Sequence, residues 1–116
     1  EYNHSIPGVL KNALDQAYNE WNKKPMSAMA YGSMGAARAM EHLRLIAVEL
    51  DMVPVHGAVH LGGADMFKVH PMGGGDGDFS KIEANMLPAA KAMFDDIVWW
   101  ANATMAARSE EAAKAA

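Results

Sequence analysis

Two short stretches hold most of the residues that could do chemistry. The first opens the chain: Glu1, Tyr2, Asn3, His4 and Ser5, followed by Ile6, Pro7 and Gly8. It sets a carboxylate, a phenol ring, an amide, an imidazole and a hydroxyl side by side. The second is Gly32, Ser33, Met34 and Gly35, with Arg38 shortly after. Glycines let a backbone approach a ligand closely. Tyr2 offers a stacking face, and the backbone amides offer hydrogen bonds to heteroatoms at a ring edge. A flat, electron-accepting ring is the ligand such a set suits. The same residues also read as ordinary turn residues. They do not make a nucleophilic set: Ser33 with His42 or His56 has no triad spacing and no strand–turn–helix elbow.

These stretches need elements to position them. Ile6, Val9, Leu10, Ala13, Leu14, Ala17, Tyr18 and Trp21 fall on one helical face, which predicts a helix over 6–21 with Ser5 as its N-cap and Pro7 in its first turn. Lys11 and Asp15 are spaced to pair on its polar side. Met26 to Tyr31 is a short apolar run between Pro25 and Gly32, expected as a buried strand. A second helix is expected from Ala36 to Leu50, with Leu45 and Val48 on an extra apolar face that a partner subunit could cover. Val53 to Leu61 reads as a second strand. Residues 62–79 read as a loop. Ser80 to Glu83 matches a capping box for a short helix, and Pro88 suits the start of the main last helix. Ser109 to Ala116 is expected to fray. Strands alternating with helices imply a parallel sheet, so the fold class is α/β, with two strands and three main helices.

Composition narrows the function. The 116 residues suffice for one domain, net charge is −4, and there are no cysteines. Disulfides, thiolate metal sites and cysteine nucleophiles are excluded, and a reducing compartment is compatible. No basic stripe argues for nucleic acid, and no apolar run reaches the ~20 residues of a membrane span. No basic-then-apolar leader is visible, and a first residue of Glu rather than Met is consistent with a missing or processed segment before it. His56, His60, Asp65 and His70 are conceivable metal ligands, but local packing and hydrogen bonding are the preferred reading, and no metal is assigned. Asp76-Gly77-Asp78 lacks the glycine and the closing carboxylate of a calcium loop. The ten methionines are read as core filling. At least one of Trp99 and Trp100 should face a second surface.

The run Glu1-Tyr2-Asn3-x-Ser5-x-Pro7-Gly8-x-Leu10-Lys11-Asn12-Ala13-x-Asp15 is similar to the flavin-contacting motif of the NAD(P)H-dependent FMN reductase family, which has a flavodoxin-like fold. Tyr31 to Ala39 resembles that family's next loop, and Val98-Trp99-Trp100-Ala101 resembles its last helix. The resemblance covers most of residues 1–108. It implies that Glu1, Tyr2, Asn3, His4 and Ser5 line the isoalloxazine ring of FMN and that Gly32, Ser33 and Gly35 approach its pyrimidine end. It further implies NADPH or NADH as electron donor, and a small-molecule acceptor such as a quinone, an azo dye, a metal oxyanion or free flavin. No protein residue need be assigned as catalytic. A cytoplasmic homodimer or homotetramer is expected. The family's phosphate-binding loop has no counterpart here, and of the strand order 2-1-3-4-5 only strands 4 and 5 are matched. The chain is thus expected to be the C-terminal part of such a domain and to hold FMN weakly by itself. The alternative is a non-enzymatic oligomerising module, or a half-domain whose partner supplies the phosphate site.

Overall fold

The computed structural model describes residues 1–115, beginning with α1 (Gly8–Gln16). This helix is shorter than the expected 6–21. Pro7 takes the N-cap position without a side-chain cap, and after Ala17 the chain tightens into a 3₁₀ turn, Asn19–Trp21. Ser5 is not the cap. Its backbone pairs with Tyr2, and its hydroxyl lies 3.1 Å from His42 Nδ1. Only Leu14 of the apolar stripe is buried; Val9 is 84% exposed. Trp21 Nε1 donates to Leu14 O at 2.9 Å and ties the turn back onto α1. The Lys11–Asp15 pair forms at 2.7 Å.

Each expected strand is present but broken in two. The first becomes β1 (Pro25–Met26) and β2 (Met29–Tyr31), and the second becomes β3 (Val53–Pro54) and β4 (Val59–Leu61). β1 pairs with β3 and β2 with β4, both parallel, with Pro25 opposite Val53 and Met29 opposite Val59. The breaks face each other. Ser27 Oγ donates to Gly57 O across them, and Gly57 N donates to Asp96 Oδ2 of the last helix at 3.1 Å. A Cβ on Gly57 would stand 2.8 Å from Met93 Cα, so the helix backbone packs directly on the gap.

The parallel crossover is α2 (Ala37–Glu49), close to the expected span. It buries Ala39, Met40, Leu43 and Ala47. Leu45 and Val48 are 70% and 62% exposed, which is the second apolar face the sequence implies. Residues 62–79 are not a plain loop. They contain α3 (Gly63–Val69) and a 3₁₀ turn, Pro71–Gly73. Seven residues are too few to repeat a 3.6-residue pattern visibly. The Ser80–Glu83 capping box does not form; Asp78 Oδ1 instead accepts from Ser80 N at the head of another 3₁₀ turn. α4 then runs unbroken over 33 residues, Glu83–Ala115, with Pro88 inside it rather than at its start. Residues 109–115, expected as a tail, are helical, and Glu111 meets Lys23 at 2.7 Å. At 1.5 Å per residue α4 spans about 50 Å, against a longest dimension of 58 Å.

The strands lie between two helical layers. Leu14, Met40, Leu43 and Leu50 form one buried cluster, with Ala28 and Ala58 of the strand breaks, each just before β2 or β4, against it. Leu61, Val69 and Ile82 form the other, joined by Met66 and Met86. Alternation along the strands explains the division: successive side chains point to opposite faces. The result is an α/β arrangement of short parallel strands and flanking helices, as a flavodoxin-like fold requires. The methionines only partly fill the core. Met40 and Met93 are buried, whereas Met34 and Met72 are 69% and 85% exposed. Among the described residues no helix is long and apolar enough to cross a membrane.

Candidate functional site

The two stretches singled out in the sequence meet at the carboxyl ends of β2 and β4. In open α/β sheets that edge is where ligands bind. The Glu1 amino nitrogen donates to Tyr31 O at 2.8 Å, which lays the opening segment beside the end of β2. Tyr2 and Ser5 then exchange two backbone hydrogen bonds, each 3.0 Å, across a tight turn. Its central residues, Asn3 and His4, have φ of 48° and 68°. Both types tolerate this left-handed region better than most. Tyr2 is 67% exposed, so its ring is free to stack.

The second stretch is clamped by the end of β4. Gly32 N donates to Leu61 O, Gly35 N to Gly32 O, and Gly63 N to Ser33 O, at 3.1, 2.9 and 3.2 Å. His60 Nδ1 donates to Gly35 O at 2.8 Å. Gly62 passes so close that a Cβ there would stand 2.3 Å from Gly35 N. Ser33 and Met34 stay exposed at the tip, while Gly35 is buried.

Electrostatics join the two stretches through the start of α2. Ala36, at the N-cap with φ 54°, has no side-chain acceptor to give. The first amides of a helix need acceptors, and Glu1 supplies one from 38 positions away: Ala39 N donates to Glu1 Oε2 at 3.2 Å. Arg38 Nη2 pairs with Glu1 Oε1, and Arg38 Nη1 lies 2.6 Å from His4 Nε2. The Glu1 side chain is only 7% exposed. The Arg38 hydrogen bond holds its carboxyl below the usual carboxylate range, against an opposing effect of burial and with help from the Ala39 amide. Arg38 Nε is buried without a partner among the described residues, a local cost that the two Nη contacts offset.

The structure thus brings together Glu1, Tyr2, Asn3, His4, Ser5, Gly32, Ser33 and Gly35. It turns the Glu1 carboxylate inward, toward α2. Arg38, which the sequence already sets beside the second stretch, completes the framework together with His42, His60 and Gly62, three residues that sequence reading does not assign to the site. The spacing of Arg38 and His42, one helical turn apart, and the paired glycines at 62–63 were the available signals. Ser5 and His42 lie in contact, but no carboxylate orients His42 among the described residues, so they lack the third member of a nucleophilic set. The histidines weighed as metal ligands are dispersed. His60 serves Gly35, His70 Nδ1 accepts from Met72 N, and Asp65 is engaged by Lys68 and Asn85. Among the described residues no group of three metal-ligating side chains converges.

The model of the family described as NADPH-dependent FMN reductase matches residues 1–65. An NAD(P)H-dependent FMN reductase of Schizosaccharomyces pombe is 42% identical over 52 residues, covering 45% of this chain and 26% of the relative. A 2-hydroxy-1,4-benzoquinone reductase of a Burkholderia species is 45% identical over 60 residues, covering 46% of this chain and 33% of its own. A quinone reductase of Escherichia coli is 38% identical over 80 residues, covering 64% and 43%. The chain therefore spans between about a quarter and under a half of the length of these relatives. No solved structure matches it.

Proposed function

The chain belongs to the NADPH-dependent FMN reductase family, and from that premise we propose that it carries the ring-contacting share of an FMN site in an NAD(P)H-dependent oxidoreductase. FMN, when bound, supplies the redox chemistry, taking hydride from NADPH or NADH and passing electrons to a small-molecule acceptor. The quinone reductases among the relatives favour a quinone as that acceptor. The chain's own residues bind and orient. Tyr2 offers a stacking face, and the Asn3–His4 turn and the Gly32–Gly35 loop offer backbone amides. Glu1 and Ser5 hold the opening loop against α2. The observation that carries this reading is the meeting of the two stretches at the strands' carboxyl edge, with Glu1 N on Tyr31 O at 2.8 Å.

The same residues do not fit the phosphate of FMN. A helix that follows a glycine-containing loop is a ready anion seat, but in α2 the seat is taken by the Glu1 carboxylate on Ala39 N. Arg38 is likewise committed to Glu1 and His4. The phosphate is therefore left to residues other than these. Titration with FMN and with riboflavin, followed by flavin fluorescence, tests both halves of the reading. Both flavins are expected to bind, with affinities within about threefold of each other, because the phosphate gains no contact. Failure of both to bind defeats the ring site. FMN binding tighter than riboflavin by tenfold or more, about 1.4 kcal/mol, defeats the account of the phosphate.

A second reading, an oligomerising module, is favoured by a separate observation. Leu45 and Val48 of α2 and Phe94, Val98 and Trp99 of α4 are each more than half exposed. Trp100 stands edge-to-face against Trp99, with ring centroids 4.9 Å apart. Patches of this kind mark interfaces, and a second copy of the chain, as a homodimer or homotetramer, is the proposed occupant. Light scattering that finds only monomer at high concentration defeats it.

A further inference from the structure

We propose that Arg38 is a positioning residue: through Glu1 it locks the opening loop onto the start of α2, and through His4 it fixes which imidazole nitrogen carries the proton. The proposal rests on the ring-site reading only for its consequence, flavin affinity. Its geometry stands without a flavin.

Three facts carry it. The N-cap of α2 is Ala36, which cannot accept a hydrogen bond with its side chain, and Glu1 replaces it by accepting from Ala39 N at 3.2 Å. The other oxygen of the same carboxylate is held by Arg38 Nη2, one residue before Ala39, so the carboxylate is gripped from two adjacent residues of the first turn. Arg38 Nη1 lies 2.6 Å from His4 Nε2. A guanidinium only donates, so Nε2 is the acceptor in this contact and the N–H of the His4 ring is at Nδ1. A single planar side chain therefore decides the spacing of the two loops and the donor that His4 can offer. Lysine cannot replace it. An ammonium is a point charge with no rigid fork, and it can serve the Glu1 carboxylate without also reaching His4 in the same geometry.

The test uses Arg38→Met, Arg38→Lys and Glu1→Ala in the full chain. Nitrogen-15 NMR of the His4 ring, recorded without flavin, reports the tautomer. The parent should show protonated Nδ1 and bare Nε2. Arg38→Met and Arg38→Lys should each lose that signature, while Arg38→Lys keeps more of the parent's thermal stability than Arg38→Met does. Riboflavin affinity should fall at least fivefold in Arg38→Met. Adding Glu1→Ala to it should cost less than twofold more, because contacting groups are not additive. An unchanged His4 tautomer in Arg38→Met overturns the proposal, as does full additivity of the Glu1 and Arg38 substitutions in thermal stability. If Arg38→Met does not fold, Arg38→Lys and Glu1→Ala still give the tautomer and the stability comparison. A parent that binds no flavin but shows the tautomer dependence sinks the ring site and leaves the lock intact.

Discussion

Replacing Gly62 by alanine should open the clamp on the second loop. The backbone of Gly62 has φ −145°, which alanine adopts without strain, so the whole effect is steric. The added Cβ would stand 2.3 Å from Gly35 N, 2.6 Å from Gly35 Cα and 3.1 Å from Gly32 O. Ordinary carbon contacts begin near 3.5 Å, so the two backbones must part by about 1 Å. The Gly63 N to Ser33 O bond, already 3.2 Å, cannot survive that displacement, and the Gly32 N to Leu61 O bond at 3.1 Å is stretched. Overpacking costs about 1–3 kcal/mol, and a lost hydrogen bond about 0.5–1.5 kcal/mol. The expected loss is about 2–3 kcal/mol, read as a lower urea midpoint with unchanged slope and a melting point lower by roughly 10 °C. Gly8→Ala is the control. A Cβ there meets nothing within 4 Å, and the site opens a helix. That substitution should be neutral or stabilise by up to about 1 kcal/mol. A Gly62→Ala midpoint equal to the parent's, or equal losses from both substitutions, would refute the close approach.

Two further outcomes follow from the helices. The Glu1 carboxyl is held below the usual range in the folded chain. Its contribution is therefore fully present above the unfolded carboxylate value and is lost as pH falls through the lowered one. Parent and Glu1→Ala should differ in denaturation midpoint at neutral pH and converge as pH falls below the ordinary carboxylate range; a gap that stays constant with pH contradicts this. Pro88 lies within α4, where it cannot donate to the carbonyl one turn back. Pro88→Ala should raise stability by about 1–3 kcal/mol, checked by thermal melts followed at a helical wavelength; unchanged or lower stability contradicts it.

Sequence pattern reached the parts of the fold that repeat. α2 was legible because its thirteen residues carry several turns of apolar spacing. α3 was not, because seven residues opening on a glycine pair and closing before Pro71 show no period. The strand breaks went unseen although Gly57 lay inside the second apolar run. A glycine within a strand often marks a close backbone approach, and here it marks the approach of Met93. The site divides the same way. Residue types alone picked out Glu1–Ser5 and Gly32–Gly35. The role of Glu1 as a cap for α2 depends on a contact across 38 positions, and no local spacing encodes such a contact. The sequence places His60 in a strand and Gly62 in a loop, and their work on a backbone remote in sequence leaves no local signal.

The gap at Gly57 also gives the docking of α4 on the strands a single backbone reporter. Its amide has no ladder partner and is held by Asp96 Oδ2 of α4 at 3.1 Å. Amide exchange there reports on the helix rather than on the sheet. Protection at Gly57 lasts only as long as α4 stays docked, so that one proton timestamps every excursion of a 33-residue helix from the body of the molecule.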